Sequence, residues 1–376
     1  MSKIIFSNKI TPILRLNSIC PYFTMFPLEF PYNALREATN TDLVFDPFCG
    51  RGTTNYAARL RGLNSFGIDS NPVAKSIADV KLFTASPIEI EKTAKNILSN
   101  TCNGMEIPEG EFWEFAYHDR TLREICLFRE HFLNKKRLSN SEKALKAIIL
   151  GTLHGPTMKT QASYLSNQMP RTFSSKPDYS VKFWKKNNLL PSKVDSLNLI
   201  KRRAEYIYTK NTPKPVKGKI ILGDSRKSLE NKIEERFNWV ITSPPYFGMH
   251  SYEQDQWLRN WFLGGPDHVD YSTKSQLKHY SEKAFVNDLA KVWSNTAKIC
   301  YPNAKLIIRF GSLPSKSSKT PSELIKETLK QSDSGWMIRT IHNAGKPKES
   351  NRQANQFKNS TGNYIEEIDV FAMLKN

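Results

Sequence analysis

The sequence predicts a doubly wound α/β fold carrying a mostly helical inserted segment. Three observations lead there. Short apolar runs that end in Asp, Gly or Pro alternate with helix-period stretches toward both ends of the chain. A glycine-bearing turn follows the first of those runs directly. Between residues 83 and 217 the strand pattern lapses, and capped amphipathic helices take its place.

Leu43 to Pro47 reads as a strand ending in Asp-Pro, followed by FCGRGTT and a helix from Asn55 to Arg61 closed by Gly62. Asn64 to Ile68 is a second strand, ending at Asp69. Strand, turn, helix and strand in so short a span make a βαβ unit, and hence a parallel sheet. In the insertion, Ser86-Pro87-Ile88-Glu89 caps one helix and Ser139-Asn140-Ser141-Glu142 another, with Leu145, Ile148, Ile149 and Leu153 on one face. Ser192 to Asp195 opens a third, whose apolar face holds Val194, Leu197, Ile200, Ala204 and Ile207. Strands resume at Lys219 to Leu222, before Gly223-Asp224, and at Trp239 to Thr242. A helix over Phe285 to Ile299 feeds a strand over Ala304 to Phe310. Thr320-Pro321-Ser322-Glu323 is a capping box with Pro at the first helical position, and Trp336 to Ile341 and Ile365 to Met373 are the last strands. Asn343 to Gly362 reads as a long polar loop. The expected organisation is a sheet domain in two parts, 1–82 with the cofactor motifs and 218–376 with the catalytic motif, split by a basic helical insertion over 83–217.

Lys+Arg 55 against Asp+Glu 36 gives a formal net charge of +19, which draws a protein to polyanions. The excess is local: His118 to Lys217 holds 21 Lys and Arg against 7 Asp and Glu. The chain has no apolar run of about 18 residues, and its start lacks the basic head, apolar middle and cleavage site of a secretion signal. A cytoplasmic protein with no membrane partner is therefore expected. The five cysteines are scattered, without C-x-x-C or Cys/His spacing, so reduced thiols and no metal site are expected.

Glycines after a parallel strand let the backbone approach a ligand closely, at the edge where open α/β sheets bind cofactors. A Gly-x-Gly pair alone also fits a tight turn without a ligand. The turn is neither a phosphate loop nor a complete dinucleotide fingerprint, since Gly-Lys-Ser/Thr and G-x-G-x-x-G are both absent from it. Asp69, closing the next strand, stands where a carboxylate accepts ribose hydroxyls. The residues thus point to a nucleoside-containing cofactor without a bound pyrophosphate.

DPFCGRGTT, FGIDSNP and LGDS, with TSPPY shortly downstream, resemble the motif set of the S-adenosylmethionine-dependent DNA amino-methyltransferases, within a Rossmann-like sheet. The likeness covers roughly Pro21 to Asp79 and Lys217 to Met373. It implies that Asp46, Phe48, Gly50 and Gly52 cradle the methionine part of S-adenosylmethionine, that Asp69 binds its ribose, and that Asp224 lies by its adenine. Pro21 to Pro27, PYFTMFP, resembles the family's Pro/aromatic motif and adds Tyr22 and Thr24 to the cofactor set; these aromatics equally suit a cover for the sheet edge.

The corner Ser243-Pro244-Pro245-Tyr246 then acquires a chemical reason. An exocyclic amine is a poor nucleophile because its lone pair is delocalised into the ring. Acceptors on its two hydrogens, the Ser243 hydroxyl and the Pro244 carbonyl, favour a pyramidal nitrogen and restore that lone pair. Pro245 stiffens the backbone, so the acceptors are preorganised. Tyr246 offers a flat face to a base turned out of the stack. Within the family, serine at the first position goes mostly with cytosine N4 and aspartate mostly with adenine N6, so direct transfer to cytosine N4 is the expectation and adenine N6 its alternative. Methylation at cytosine C5 needs a Pro-Cys nucleophile, and the sequence has no such dipeptide.

Double-stranded DNA is the expected partner, with the basic insertion as target-recognition region. Lys182, Lys185, Lys186, Lys201, Arg202 and Arg203 suit phosphate contacts, and Arg171, in the tract Tyr164 to Arg171, suits base edges, though that tract equally fits a polar loop. Family members with the cofactor motif first commonly carry target recognition nearer the catalytic tetrapeptide, so this role rests on position and charge. Trp257 and Trp261 could support a flipped base or wedge the duplex, but their spacing of four residues favours core. A cognate restriction endonuclease is the protein partner the resemblance implies. An RNA base methyltransferase and an inactive nucleic-acid-binding module are the remaining alternatives.

Overall fold

The computed structural model describes residues 4, 6, 10–22, 26–100, 105–156, 161–166, 176–247, 254–269, 281–312, 317–344 and 366–375. In chain order the main elements are α1 (Glu29–Ala34), β1 (Leu43–Asp46), α2 (Thr53–Leu60), β2 (Asn64–Asp69), α3 (Pro72–Asp79), α4 (Pro87–Leu98), α5 (Glu111–Ala116), α6 (Asp119–Asn134), α7 (Asn140–Thr152), α8 (Pro177–Lys186) and α9 (Ser196–Ile207). They continue with β3 (Gly218–Leu222), β4 (Phe237–Thr242), α10 (Trp257–Phe262), α11 (Glu282–Lys298), β5 (Cys300–Ser312), α12 (Pro321–Ser332), β6 (Trp336–Asn343) and β7 (Glu366–Leu374).

The chain divides into two compact units. One comprises Tyr22–Ala78, Val216–Ser251 and Thr273–Asn376, and contains a seven-stranded sheet in the order β3-β2-β1-β4-β5-β7-β6. Strands β3, β2, β1, β4 and β5 pair in parallel, and β7 runs antiparallel to both β5 and β6. A parallel sheet covered on both faces buries near-continuous apolar strands. Accordingly Phe45, Phe237, Val240, Leu306 and Ile308 are fully buried beside Phe285, Trp293 and Phe310. Full burial of side chains of this kind contributes roughly 1.5–3 kcal/mol each. The Phe45 and Phe237 rings stack at 5.0 Å, binding β1 to β4.

The other unit gathers Met1–Pro21, Asp79–Pro215 and Tyr252–Ser272, and its described secondary structure is helical. Here the division departs from the one expected. Residues 1–21 and 252–272 join the helices, although the sequence reading gave 1–82 and 218–376 wholly to the sheet domain. The cause is specific packing. The buried Lys81 ammonium donates to the Leu16 carbonyl at 2.6 Å, and Gly151 lies so close to Ile19 that a Cβ there would sit 2.2 Å from its carbonyl oxygen. Trp257 and Trp261 pack on Trp113 with ring centroids 5.9 and 4.5 Å away, and Phe112 meets Trp257 at 4.8 Å. The buried Arg259 donates to the Leu150 carbonyl at 2.8 Å. The tryptophan pair is core, as its spacing predicts.

The capping boxes at Ser139/Glu142 and Thr320/Glu323 both form, and Ser86 caps α4. The start of α9 differs: Asp195, not Ser192, is the cap, accepting from the Asn198 amide at 2.9 Å. Val194, whose amide donates to Thr121 at 3.4 Å, is held outside the helix. Strand β5 begins earlier than its hydrophobic pattern: Cys300 pairs with Phe237 ahead of a register shift, and Asn303, at φ 64°, lies in the stretch before Lys305 meets Trp239. Among the described residues no helix is long and apolar enough to cross a membrane.

Candidate active site at the switch point of the sheet

Strand order reverses beside β1: β2 and β3 extend to one side, β4 and β5 to the other. Ligands of open α/β sheets bind outside the carboxyl ends of the strands at such a point. The glycine turn leaves β1 there, and the Ser-Pro-Pro-Tyr corner leaves β4, its in-register neighbour through Val44 with Trp239 and Phe45 with Val240.

The turn is fixed mainly by backbone contacts. The Cys49 amide donates to the Ile68 carbonyl at 3.1 Å, and the Gly52 amide to the Cys49 carbonyl at 2.7 Å. Gly50 at φ 49° and Gly52 at φ 80° take the left-handed conformation that glycine adopts without steric cost, and Gly52 starts α2. Gly67 on β2 lets the turn lie flat, since a Cβ there would come within 2.8 Å of the Cys49 Cβ. Asp69 receives the Gly50 amide at 2.9 Å on one carboxylate oxygen and the Asn71 amide at 2.9 Å on the other. It remains half-exposed at the carboxyl end of β2. The half-buried Tyr22 ring passes 3.8 Å from where a Gly50 Cβ would stand, and the half-buried Phe48 meets Trp293 edge-on at 6.4 Å.

Asp46 plays a different part from its neighbours. Its carboxylate is buried and accepts three protein donors: the Phe48 amide at 3.0 Å, the Thr54 hydroxyl at 2.6 Å and the Thr242 hydroxyl at 2.6 Å. Burial pushes its pKa up to about 6; the hydrogen bonds from Thr242, Thr54 and Phe48 pull against that, and the Asp69 charge adds to it. So placed, Asp46 organises the turn and offers little to a ligand. Thr54 and Thr242 are structural residues that the sequence reading passed over; the only signal was their position beside the motifs.

Thr242 is the last residue of β4, so this contact brings the corner to the glycine turn. Ser243 is half-buried, Pro244 buried and Pro245 exposed. Tyr246 is half-buried, edge-on to Phe310 at 5.7 Å, and its hydroxyl donates to Glu367 on β7 at 2.9 Å. Burial beside that carboxylate pushes the phenol well above the usual tyrosine range. Glu367 also escaped the sequence reading, because only the antiparallel insertion of β7 next to β5 brings it here.

Asp224 follows β3, where the Gly223 amide donates to the Asp69 carbonyl at 2.9 Å. Although burial opposes its ionisation, hydrogen bonds from Arg226 hold Asp224 below the usual carboxylate range. The Arg226 guanidinium bridges Asp224 and Asp288, each at 2.8 Å, and the buried Ser225 hydroxyl donates to the Pro47 carbonyl at 2.6 Å. The β3 turn is thereby pinned to the glycine turn.

In the helical unit the expected DNA contacts separate into two groups. Lys182, Lys185 and Lys186 are exposed along α8, Lys185 paired with Glu111. Lys201 is exposed and pairs with Glu91 at 3.5 Å. Arg202 and Arg203 spend guanidinium donors on the Ala162 and Ser163 carbonyls at 2.5 and 3.0 Å, so both act as loop anchors in this structure. Thr24 and Arg171 lie outside the described residues, as do Asn167 to Pro170 and most of the loop 343–362.

A parallel sheet with an antiparallel strand between its fifth and sixth members, and a glycine turn at its switch point, defines a Rossmann-like methyltransferase fold. Residues 7–80 match the N6_N4_Mtase family model, described as DNA methylase, and that segment carries the PYFTMFP, DPFCGRGTT and FGIDSNP motifs. The chain is 26% identical over 292 residues to the type II methyltransferase M.BsoBI of Geobacillus stearothermophilus, across 71% of this chain and 55% of that protein. It is 34% identical over 88 residues to the type II methyltransferase M.MjaII of Methanocaldococcus jannaschii, across 23% of this chain and 17% of that one. The matched region thus spans about half the length of the first relative. Among solved structures, an rRNA methylase from Streptococcus thermophilus aligns over 94% of this chain and 99% of its own, at 7% identity and a TM-score of 0.34.

Proposed function

We propose that the chain is a site-specific DNA methyltransferase that carries a methyl group from S-adenosylmethionine to the exocyclic N4 of cytosine in duplex DNA. The observation that carries the reading is the tie between the two motif-bearing turns: Thr242, next to Ser243, and Phe48, inside the glycine turn, share the Asp46 carboxylate.

The residues fit the cofactor. Gly50 and Gly52 bring no side chain to their two positions in the turn, and Phe48 and Tyr22 stand half-buried beside it. Asp69, half-exposed at the end of β2, is assigned to the ribose hydroxyls, and Asp224, just after β3, to the adenine. Bound there, the cofactor supplies an electrophilic methyl group on sulfur. The Ser243 hydroxyl and the Pro244 carbonyl accept the two amine hydrogens, Pro245 holds the backbone, and Tyr246 faces the flipped base. Transfer is direct, without a covalent intermediate on the protein.

The basic helical unit is the target-recognition region, with exposed lysines of α8 on the phosphates. Such an enzyme works in the cytoplasm on chromosomal DNA, beside a cognate restriction endonuclease. Transfer of tritiated methyl from S-adenosylmethionine to duplex DNA, lost in Ser243→Ala, is the expected result. Labelling of RNA alone supports the RNA-modifying alternative, and duplex binding without any labelling supports an inactive binding module.

A further inference from the structure

Methylation of an amine leaves one proton too many. As the N–C bond forms, the S–C bond breaks with its electron pair going to sulfur, and an N–H bond must then give its proton to a base. A peptide carbonyl such as that of Pro244 does not hold it. A serine hydroxyl takes it only by passing its own proton on. An acceptor beyond Ser243 is therefore required, and the corner leads to one.

The Tyr246 hydroxyl donates to the Glu367 Oε1 at 2.9 Å, and the Ser243 side chain is the polar neighbour of that phenol within the corner. We propose that Glu367 is the terminal proton acceptor of the methyl transfer, reached from Ser243 through the Tyr246 phenol. The inference rests on the amino-methyltransferase reading of the corner. The amine proton moves to Ser243 Oγ, the Ser243 hydrogen to Tyr246 Oη, and the Tyr246 hydrogen to Glu367 Oε1. One N–H and two O–H bonds break while three O–H bonds form.

The charged groups around Glu367 leave it suited to the task. Arg309, on β5, commits its guanidinium to Asp369 through two 2.7 Å contacts and lies 3.9 Å over the Phe30 ring. Asp369, two residues along β7, is thereby compensated. Burial raises the Glu367 pKa, the Asp369 charge adds to that, and Tyr246 and Arg309 offset it in part. A carboxylate with a raised pKa is a better proton acceptor near neutrality than an ordinary glutamate. Glu367 acts through Tyr246, without touching the base.

The test is single-turnover methyl transfer to duplex DNA across pH, in the wild type, Glu367→Gln, Tyr246→Phe and the double variant, with infrared difference spectra of the protein alone. Gln keeps an acceptor for the phenol but cannot take the proton. The wild-type rate is expected to fall on acidification as Glu367 becomes protonated. Glu367→Gln is expected to be slower by about 10²-fold and to lack that acidic limb, with cofactor and DNA affinities retained. The double variant should be no slower than either single one. In the protein alone, a protonated-carboxyl band should appear above the ordinary glutamate range, vanish in Glu367→Gln and shift in Tyr246→Phe. Glu367→Gln with wild-type rate and pH profile, or a wild type lacking that band, overturns the proposal alone. A wild type that transfers no methyl to DNA overturns the methyltransferase reading, and this inference with it.

Discussion

The Thr242 hydroxyl donates to the Asp46 carboxylate across 2.6 Å, so the residue before the Ser-Pro-Pro-Tyr corner holds the residue before the glycine turn. Thr242→Val keeps the shape and removes the donor. A buried carboxylate left one partner short costs about 1–3 kcal/mol, and chemical denaturation should read a loss of that size. With the corner released from the turn, the expected signature is a kcat lowered more than cofactor affinity, checked by turnover kinetics beside calorimetric titration.

Asp46 also gives the fold a pH dependence of known sign. Its pKa is raised from an ordinary carboxylate value to about 6, chiefly by burial. The folded state then holds a proton that the unfolded state has released, so this group's contribution is fully present below the unfolded pKa and is lost as pH rises through about 6. Asp46→Asn should flatten the stability profile over that window in thermal melts taken at a series of pH values. A profile identical to the wild type contradicts the assignment.

Gly67→Ala tests the flat seating of the turn. A Cβ 2.8 Å from that of Cys49 cannot be accommodated without moving backbone, and overpacking of this kind typically costs about 1–3 kcal/mol. The melting temperature should fall, and affinity for S-adenosylhomocysteine with it.

The corner and the turn should fail in opposite ways. Ser243→Ala is expected to remove turnover by on the order of 10²-fold while leaving cofactor affinity nearly unchanged. Asp69→Ala, which strips the Gly50 amide of its acceptor, should weaken cofactor binding first. Equilibrium binding of S-adenosylhomocysteine to both variants separates the roles; equal losses in the two contradict them.

Two classes of cation are predicted in the helical unit. Lys182→Ala or Lys186→Ala should weaken DNA binding for every sequence alike and reduce the slope of log K against log salt by about 1 each. Arg202→Ala, which frees the Ala162 carbonyl, should lower stability instead, by about 1 kcal/mol. Salt-titrated DNA binding beside thermal melts distinguishes the two.

Local signals made much of this legible in the sequence. The strands flanking the glycine turn, the capping boxes at Ser139 and Thr320, and the Trp257/Trp261 core pair all depend on neighbours a few residues away. What depended on long-range pairing stayed hidden. Nothing near Glu367 announces that β7 enters the sheet beside β5 and delivers its carboxylate to Tyr246. Likewise the commitment of Arg202 and Arg203 to the 162–163 carbonyls looks, in one dimension, like a phosphate-binding cluster. Asp46 illustrates a subtler miss, since a motif position names a residue without saying which way its carboxylate turns.

Digesting duplex DNA to nucleosides after incubation with the purified chain and S-adenosylmethionine, and separating the products by mass, tests the central claim most directly. N4-methylcytosine is the predicted product. N6-methyladenine, 5-methylcytosine or unmodified DNA contradicts it.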